Sequence, residues 1–229
     1  MTDAHPPFYK TLGEIVALWA AAEVGYRVVL PLLGFSISYN ESPVAIALYY
    51  GFWVLVSVIA FRDTLLKHIQ IERLWLNGAV SLGFGTFVFI ALYGFSLLPM
   101  PSGTTIIPHT DILFASPWYF LPKAMDILVQ QTLIAILVYA IAAQFHSMRR
   151  ISFAYMVLFG GSHVLTFALS GAPTPYAAIM TLGSLMSAAI FPFLIVRVKN
   201  GFVYTYMIHF GFYFLLALAL HAWPPPDYS

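Results

Sequence analysis

Seven stretches of nearly continuous apolar residues run along the chain, separated by short breaks rich in charge, Pro or Gly. They span approximately Thr11 to Phe35, Pro43 to Phe61, Trp75 to Leu98, Trp118 to Phe145, Ile151 to Leu169, Tyr176 to Val196 and Gly201 to Trp223. A hydrocarbon core of about 30 Å takes about 20 apolar residues of helix to cross, so each stretch is long enough to span a bilayer. The pattern therefore predicts an all-α, polytopic transmembrane helix bundle of about seven spans. Breaks fall at Pro99-Met100-Pro101-Ser102-Gly103, at Ser170-Gly171-Ala172-Pro173-Thr174-Pro175 and at Pro224-Pro225-Pro226, where helix cannot readily continue. Pro192 lies inside the sixth span and is expected to kink it. No repeat, linker or low-complexity tract divides the chain, so residues 1–229 read as a single domain.

Charge orients this bundle, because Lys and Arg accumulate in cytoplasmic loops. Lys10 precedes the first span; Arg62, Lys67 and Arg73 lie between the second and third; Arg149 and Arg150 between the fourth and fifth; Arg197 and Lys199 between the sixth and seventh. The alternate connections carry none. An N-terminus in the cytoplasm and a C-terminus outside follow, in a multi-pass protein of the bacterial plasma (inner) membrane. His5-Pro6-Pro7 does not form the basic start of a signal peptide, and Glu14 and Glu23 interrupt its would-be apolar core, so the first helix is expected to be retained. Asn40-Glu41-Ser42 matches a glycosylation triplet close to the bilayer, a pattern common by chance.

Composition narrows the classes further. Hydrophobic residues make up 61% of the chain and charged residues 8%, against about 25% charged in soluble domains. Ten basic residues nearly cancel nine acidic ones, which leaves no basic surplus for nucleic acid. Cys is absent, excluding disulfides, thiolate nucleophiles and Cys-ligated metals. The surroundings are membrane lipids, and the candidate partners are a membrane-associated peptide or another membrane protein.

Candidate chemistry lies with the few ionisable side chains inside the spans, each costing at least about 2.5–3.5 kcal/mol to insert. These are Glu14, Glu23 and Arg27 on the first helix, Lys123 and Asp126 on the fourth, His163 on the fifth and His209 on the seventh, with the amides Gln130 and Gln131 beside them. At 1.5 Å per residue, Glu23, His163, Gln130, Gln131 and His209 fall in a band roughly 12–23 Å from the cytoplasmic ends of their spans. Arg27 and Asp126 lie nearer the outside, at depths that allow them to pair if their helices touch. Residues four apart share a helix face, which groups Asp126 with Gln130, Glu23 with Arg27, and Thr205 with His209, flanked by Tyr206 and Tyr213. Gly160 and Gly161 beside His163 allow another backbone to approach. The structural alternatives are an ion pair of Glu23 and Arg27, within the helix or across to Asp126, amides that join helices, and histidines that only satisfy hydrogen bonds. Trp75, Trp118 and Trp223 stand at span ends, as interfacial anchors do.

The order of polar residues on the fourth, fifth and seventh spans resembles the CAAX-processing and bacteriocin-processing (CPBP, Abi) membrane proteases. Those carry Glu-Glu-x-x-x-Arg, Phe-x-x-x-His and His-x-x-x-Asn on successive core helices. Phe159-Gly160-Gly161-Ser162-His163 fits the second motif, and His209-Phe210-Gly211-Phe212-Tyr213 fits the third at its His. The first would fall on Gln130-Gln131-Thr132-Leu133-Ile134-Ala135, with amides in place of both acids and Ala in place of Arg. The resemblance implies an intramembrane peptidase in which a Glu activates water and His and Asn stabilise the oxyanion. A Gln takes up no proton near neutral pH, so a base must come from elsewhere or the chemistry is lost. Asp126, one turn before Gln130, is the first substitute and Glu23, which forms Glu-x-x-x-Arg with Arg27, the second. His163 and His209 would be oxyanion or proton partners, and Gln130, Gln131, Phe159, Tyr213 and Arg27 substrate-facing groups.

Two other classes compete. One is a non-catalytic subunit or binding protein of a larger membrane complex, which the amides of the first motif favour. The other is a haem or zinc site at His163 and His209. No His-Glu-x-x-His signature accompanies them, and the last span has no Lys for a retinal Schiff base.

Overall fold

A computed structural model describes residues 7–69, 73–97, 112, 115–170 and 174–222, with the side chains of 169, 170 and 174–176 left undescribed. Among them are eight helices, seven of which are long and apolar enough to cross a membrane. We number them α1 (Phe8–Leu32), α2 (Pro43–Ala60), α3 (Arg62–His68), α4 (Leu74–Phe95), α5 (Pro117–Ala142), α6 (Met148–Ala168), α7 (Thr174–Arg197) and α8 (Gly201–Ala222). The chain is thus a multi-pass helical membrane protein. The span limits agree with those expected from sequence to within three residues, because the bilayer sets their length. The addition is α3, a seven-residue helix too short to cross. Of the expected Pro and Gly breaks, residues 98–103, 171–173 and 224–226 lie outside the described residues, as does Trp223. Trp75 and Trp118 are exposed at span ends, where interfacial anchors belong. Helix α7 continues through Pro192, whose side chain is fully buried.

Helix α5 is the hub. Two thirds of its span (67%) is buried inside the protein, against 11–39% for the others, and it packs against α1, α2, α6, α7 and α8. Its sequence explains this. Leu133, Ile134, Ala135, Ile136, Val138 and Ile141 are all buried, so the second half of the helix is apolar on every side, as expected of one surrounded by protein. Helix α4 is the opposite case: it touches α8 and the first turn of α5, and exposes Leu82, Phe87, Phe89 and Ile90 to lipid.

Two helices carry a single π-turn, Gly25–Val29 in α1 and Met156–Gly160 in α6. Such widened turns are frequent at functional sites, and the second ends three residues before His163. In the first, Gly25 lets the Tyr49 ring of α2 lie against the α1 backbone, where a Cβ would overlap it. The Tyr49 hydroxyl donates to the Ala22 carbonyl at 2.6 Å. Replacing Tyr49 by Phe is expected to cost about 0.5–1.5 kcal/mol, seen as a lower midpoint when purified protein is unfolded in dodecyl sulfate.

The connection between α1 and α2 folds onto α5. The Asn40 Oδ1 accepts from the Ser116 amide at 2.9 Å, so the Asn of the Asn-Glu-Ser triplet pins this loop. Tyr39 packs between Tyr50 and Tyr119. Burial pushes the Tyr39 phenol well above its ordinary value, with the Asp126 charge adding to the effect, and the ring remains neutral.

Candidate functional site

The polar side chains singled out by their depth divide into three places. The first is on the side of α1, where Arg27 Nε donates to Glu23 Oε2 at 2.9 Å, one turn away. Both side chains are half exposed (51% and 41%), and neither lines the cavity described below. The expected alternative of Arg27 reaching Asp126 is not realised. Equal depth sets no direction around the helix, and each charge has a nearer partner on its own helix.

The second place is the first half of α5. Lys123 Nζ donates to Asp126 Oδ2 at 2.8 Å, and Gln130 Nε2 donates to Oδ1 at 2.7 Å, so both carboxylate oxygens are engaged along one helix face. The Lys123 and Asp126 side chains are 10% and 9% exposed. The Lys123 ammonium also sits 3.8 Å from the Tyr213 ring centroid and 5.7 Å from that of Tyr39, over faces whose quadrupole attracts cations. Lys123 is the residue that sequence alone left without a role. Its signal was the spacing of three to Asp126, which places the two on adjacent turns of one face.

The third place is a cavity of about 250 Å³ between α6, α7 and α8, lined by both histidines, Phe159, Ser184, Ser187, Tyr213 and apolar side chains. The π-turn of α6 positions Phe159, which is buried, with its ring 4.5 Å from that of His163. Small residues on α6 and α7 let neighbouring side chains pack closely around the space. Gly160 of α6 faces the Leu185 side chain and Gly183 of α7 the Phe212 ring, each so near that a Cβ would make the facing side chain shift. Gly161 faces no neighbour within 4 Å, so of the glycine pair only Gly160 permits close approach. Ser184 and Ser187, which the sequence did not single out, are buried and back-bonded to the carbonyls of Thr181 and Ser184. Their signal was the spacing of small residues Gly183, Ser184, Ser187 and Ala188 along one helix.

Hydrogen-bond partners indicate which nitrogen of each neutral imidazole carries the hydrogen. His163 Nδ1 lies 2.9 Å from the Phe159 carbonyl, which has no proton to give, so Nδ1 carries the hydrogen and Nε2 bears a lone pair. His209 Nδ1 lies 3.2 Å from Gln131 Oε1 and is the donor with the amide in this orientation. The amide nitrogen of Gln131, a residue with no exposed surface, has no acceptor among the described residues. A neutral imidazole with Nε2 unprotonated accepts hydrogen bonds. Of the two roles expected of these histidines, oxyanion or proton partner, an unprotonated Nε2 suits the second, since it can take up a proton.

None of the described lining residues is a carboxylate. Asp126, Gln130, Gln131 and Glu23 are not among them, although Gln131 reaches the site through His209. Among the described residues, no three His, Asp or Glu side chains come together as metal ligands. The chain matches no protein-family model, no curated protein and no solved structure.

Proposed function

We propose that this chain is a CPBP-like membrane bundle that binds rather than cuts: a non-catalytic subunit or binding protein whose cavity between α6, α7 and α8 holds a membrane-embedded ligand. One observation carries this. The carboxylate best placed to replace the missing acids, Asp126, is held at both oxygens by Lys123 and Gln130, and the cavity's described lining offers no other. With both oxygens already accepting hydrogen bonds along its own helix, and Asp126 itself outside the cavity lining, this carboxylate is not placed to take a proton from a water held in the cavity. Lys and Arg placed on one set of connections support the orientation with the N-terminus inside, in a bacterial plasma membrane.

Protein extracted in mild detergent is expected to retain a membrane ligand detectable by mass spectrometry. Ser184→Phe, which fills the cavity, should remove it, and a pool of membrane-associated peptides incubated with wild-type protein should yield no new termini. New termini from wild type that vanish in His209→Phe would overturn this reading in favour of hydrolysis. That second reading, an intramembrane peptidase, is favoured by one feature. His209 is oriented through Nδ1 by Gln131, which leaves Nε2 able to take a proton from water.

A further inference from the structure

The cavity's polar inventory defines the chemistry of what it holds. Two acceptors are unused, the Nε2 atoms of His163 and His209, because both Nδ1 hydrogens are committed to Phe159 and Gln131. The serine protons are committed as well, to backbone carbonyls, and the Tyr155 hydroxyl reaches Ser187 Oγ at 3.3 Å. Since the Ser187 proton is taken, Tyr155 is the donor in that contact. The one orphaned donor nearby, the Gln131 amide nitrogen, is buried behind His209 and outside the lining. An occupant that hydrogen-bonds this lining must therefore give a proton to an imidazole.

The rim adds a second constraint. Ile179, Leu182, Met186, Ile190 and Ile208 line the cavity and are also exposed, between 39% and 60%, on apolar spans. The site thus opens sideways toward hydrocarbon, and what enters comes through the bilayer. A charged head pays heavily for that route, and two imidazole lone pairs repel an anion once it arrives. A spanning peptide already pairs its backbone N–H groups within its own helix. A hydroxyl is uncharged and carries the proton that an imidazole acceptor requires. A space of about 250 Å³ is worth about eight waters at roughly 30 Å³ each, enough for a polar head and the first carbons of a chain but not a whole lipid.

We infer that the cavity is a receptor for an uncharged, hydroxyl-bearing lipid, whose O–H donates to His163 Nε2 or His209 Nε2 while its tail leaves between α7 and α8. This rests on the binding role proposed above and names its ligand class.

The test uses full-length protein labelled with ¹⁵N-histidine in phosphatidylcholine nanodiscs, with resonances assigned by His163→Phe and His209→Phe. Both residues should show a protonated Nδ1 and an unprotonated Nε2. Titration with 1-decanol should shift at least one of the two Nε2 signals, whereas methyl nonyl ether, of equal size without the donor, and decanoate should not. The Phe variant at the responding histidine should weaken decanol binding about tenfold, the loss of one buried hydrogen bond. Equal shifts from alcohol and ether would leave the cavity a binding site and overturn the hydroxyl claim. Preference for decanoate, or a protonated Nε2 at both residues, would overturn it too. No response to any of the three would remove the binding role as well. The wild-type spectra decide among these outcomes even if a Phe variant fails to fold.

Discussion

Replacing Lys123 by Met is expected to destabilise the bundle by about 3–5 kcal/mol, more than any other single change among the polar residues of α5. The reason is what remains. Asp126, 9% exposed at its side chain, loses the ammonium that lies 2.8 Å from Oδ2 and keeps only the Gln130 amide on Oδ1. A carboxylate taken out of water with half its partners is far costlier than the pair was favourable, since the pair itself only offsets the desolvation of its members. Tyr213 contributes from the other side. Its ring lies 3.8 Å from the Lys123 nitrogen, a desolvated cation–π contact of about 2 kcal/mol that the Met side chain does not replace.

The double variant Lys123→Met with Asp126→Leu separates these effects. With both charges gone no buried ion is stranded, so the double change should cost less than Lys123→Met alone, and the double-mutant cycle should give a coupling of about 1–3 kcal/mol. Unfolding midpoints in dodecyl sulfate, followed by tryptophan fluorescence, provide the readout. Additive costs, or a Lys123→Met variant within 1 kcal/mol of wild type, would mean that Asp126 is stabilised by something other than this ammonium, and would return it to the list of free carboxylates.

How far the sequence reaches is clear from the same residues. The spans were legible because hydrocarbon thickness demands runs of apolar residues, and nothing in tertiary packing changes that demand. Helix α3 was not, because seven residues carrying Arg62, Asp63 and Lys67 look the same whether coiled or helical. Within the spans, the spacing of four correctly joined Asp126 to Gln130 and Glu23 to Arg27, since one helix fixes both depth and direction. Across helices depth alone was available. It put His163 and His209 in one band, and they do share a cavity, but it also offered Arg27 to Asp126, which the rotation of the helices denies. The direction of the Nδ1 hydrogens was beyond any sequence pattern, because it depends on which carbonyl each ring meets.

The tight turn between α7 and α8 is where a single methyl group should do the most damage. Val198 donates to the Leu194 carbonyl and Gly201 to the Val198 carbonyl, each at 3.0 Å, and Asn200 adopts a left-handed φ of 52° to bring the chain round. Asn tolerates that conformation better than most residues. Gly201 then begins α8 buried against the end of α7, so close that a Cβ would overlap the Leu194 carbonyl. That neighbour is backbone, and no rotamer can move it aside. Gly201→Ala must therefore push α7 and α8 apart, at a cost of about 3 kcal/mol, the upper end for overpacking. Gly211→Ala, farther along the same helix with nothing within 4 Å, should be neutral or stabilising by up to about 1 kcal/mol through helix propensity. The displacement would reach the site. His209 lies about two turns beyond Gly201 on α8, and Ser184 and Ser187 lie on α7, so separating these helices widens the cavity between them. Gly201→Ala protein that still folds should thus show weakened decanol shifts at His209 with the His163 to Phe159 bond intact, because that bond lies wholly within α6. A variant with unchanged unfolding midpoint and unchanged shifts would show that the α7–α8 turn does not set the width of the cavity.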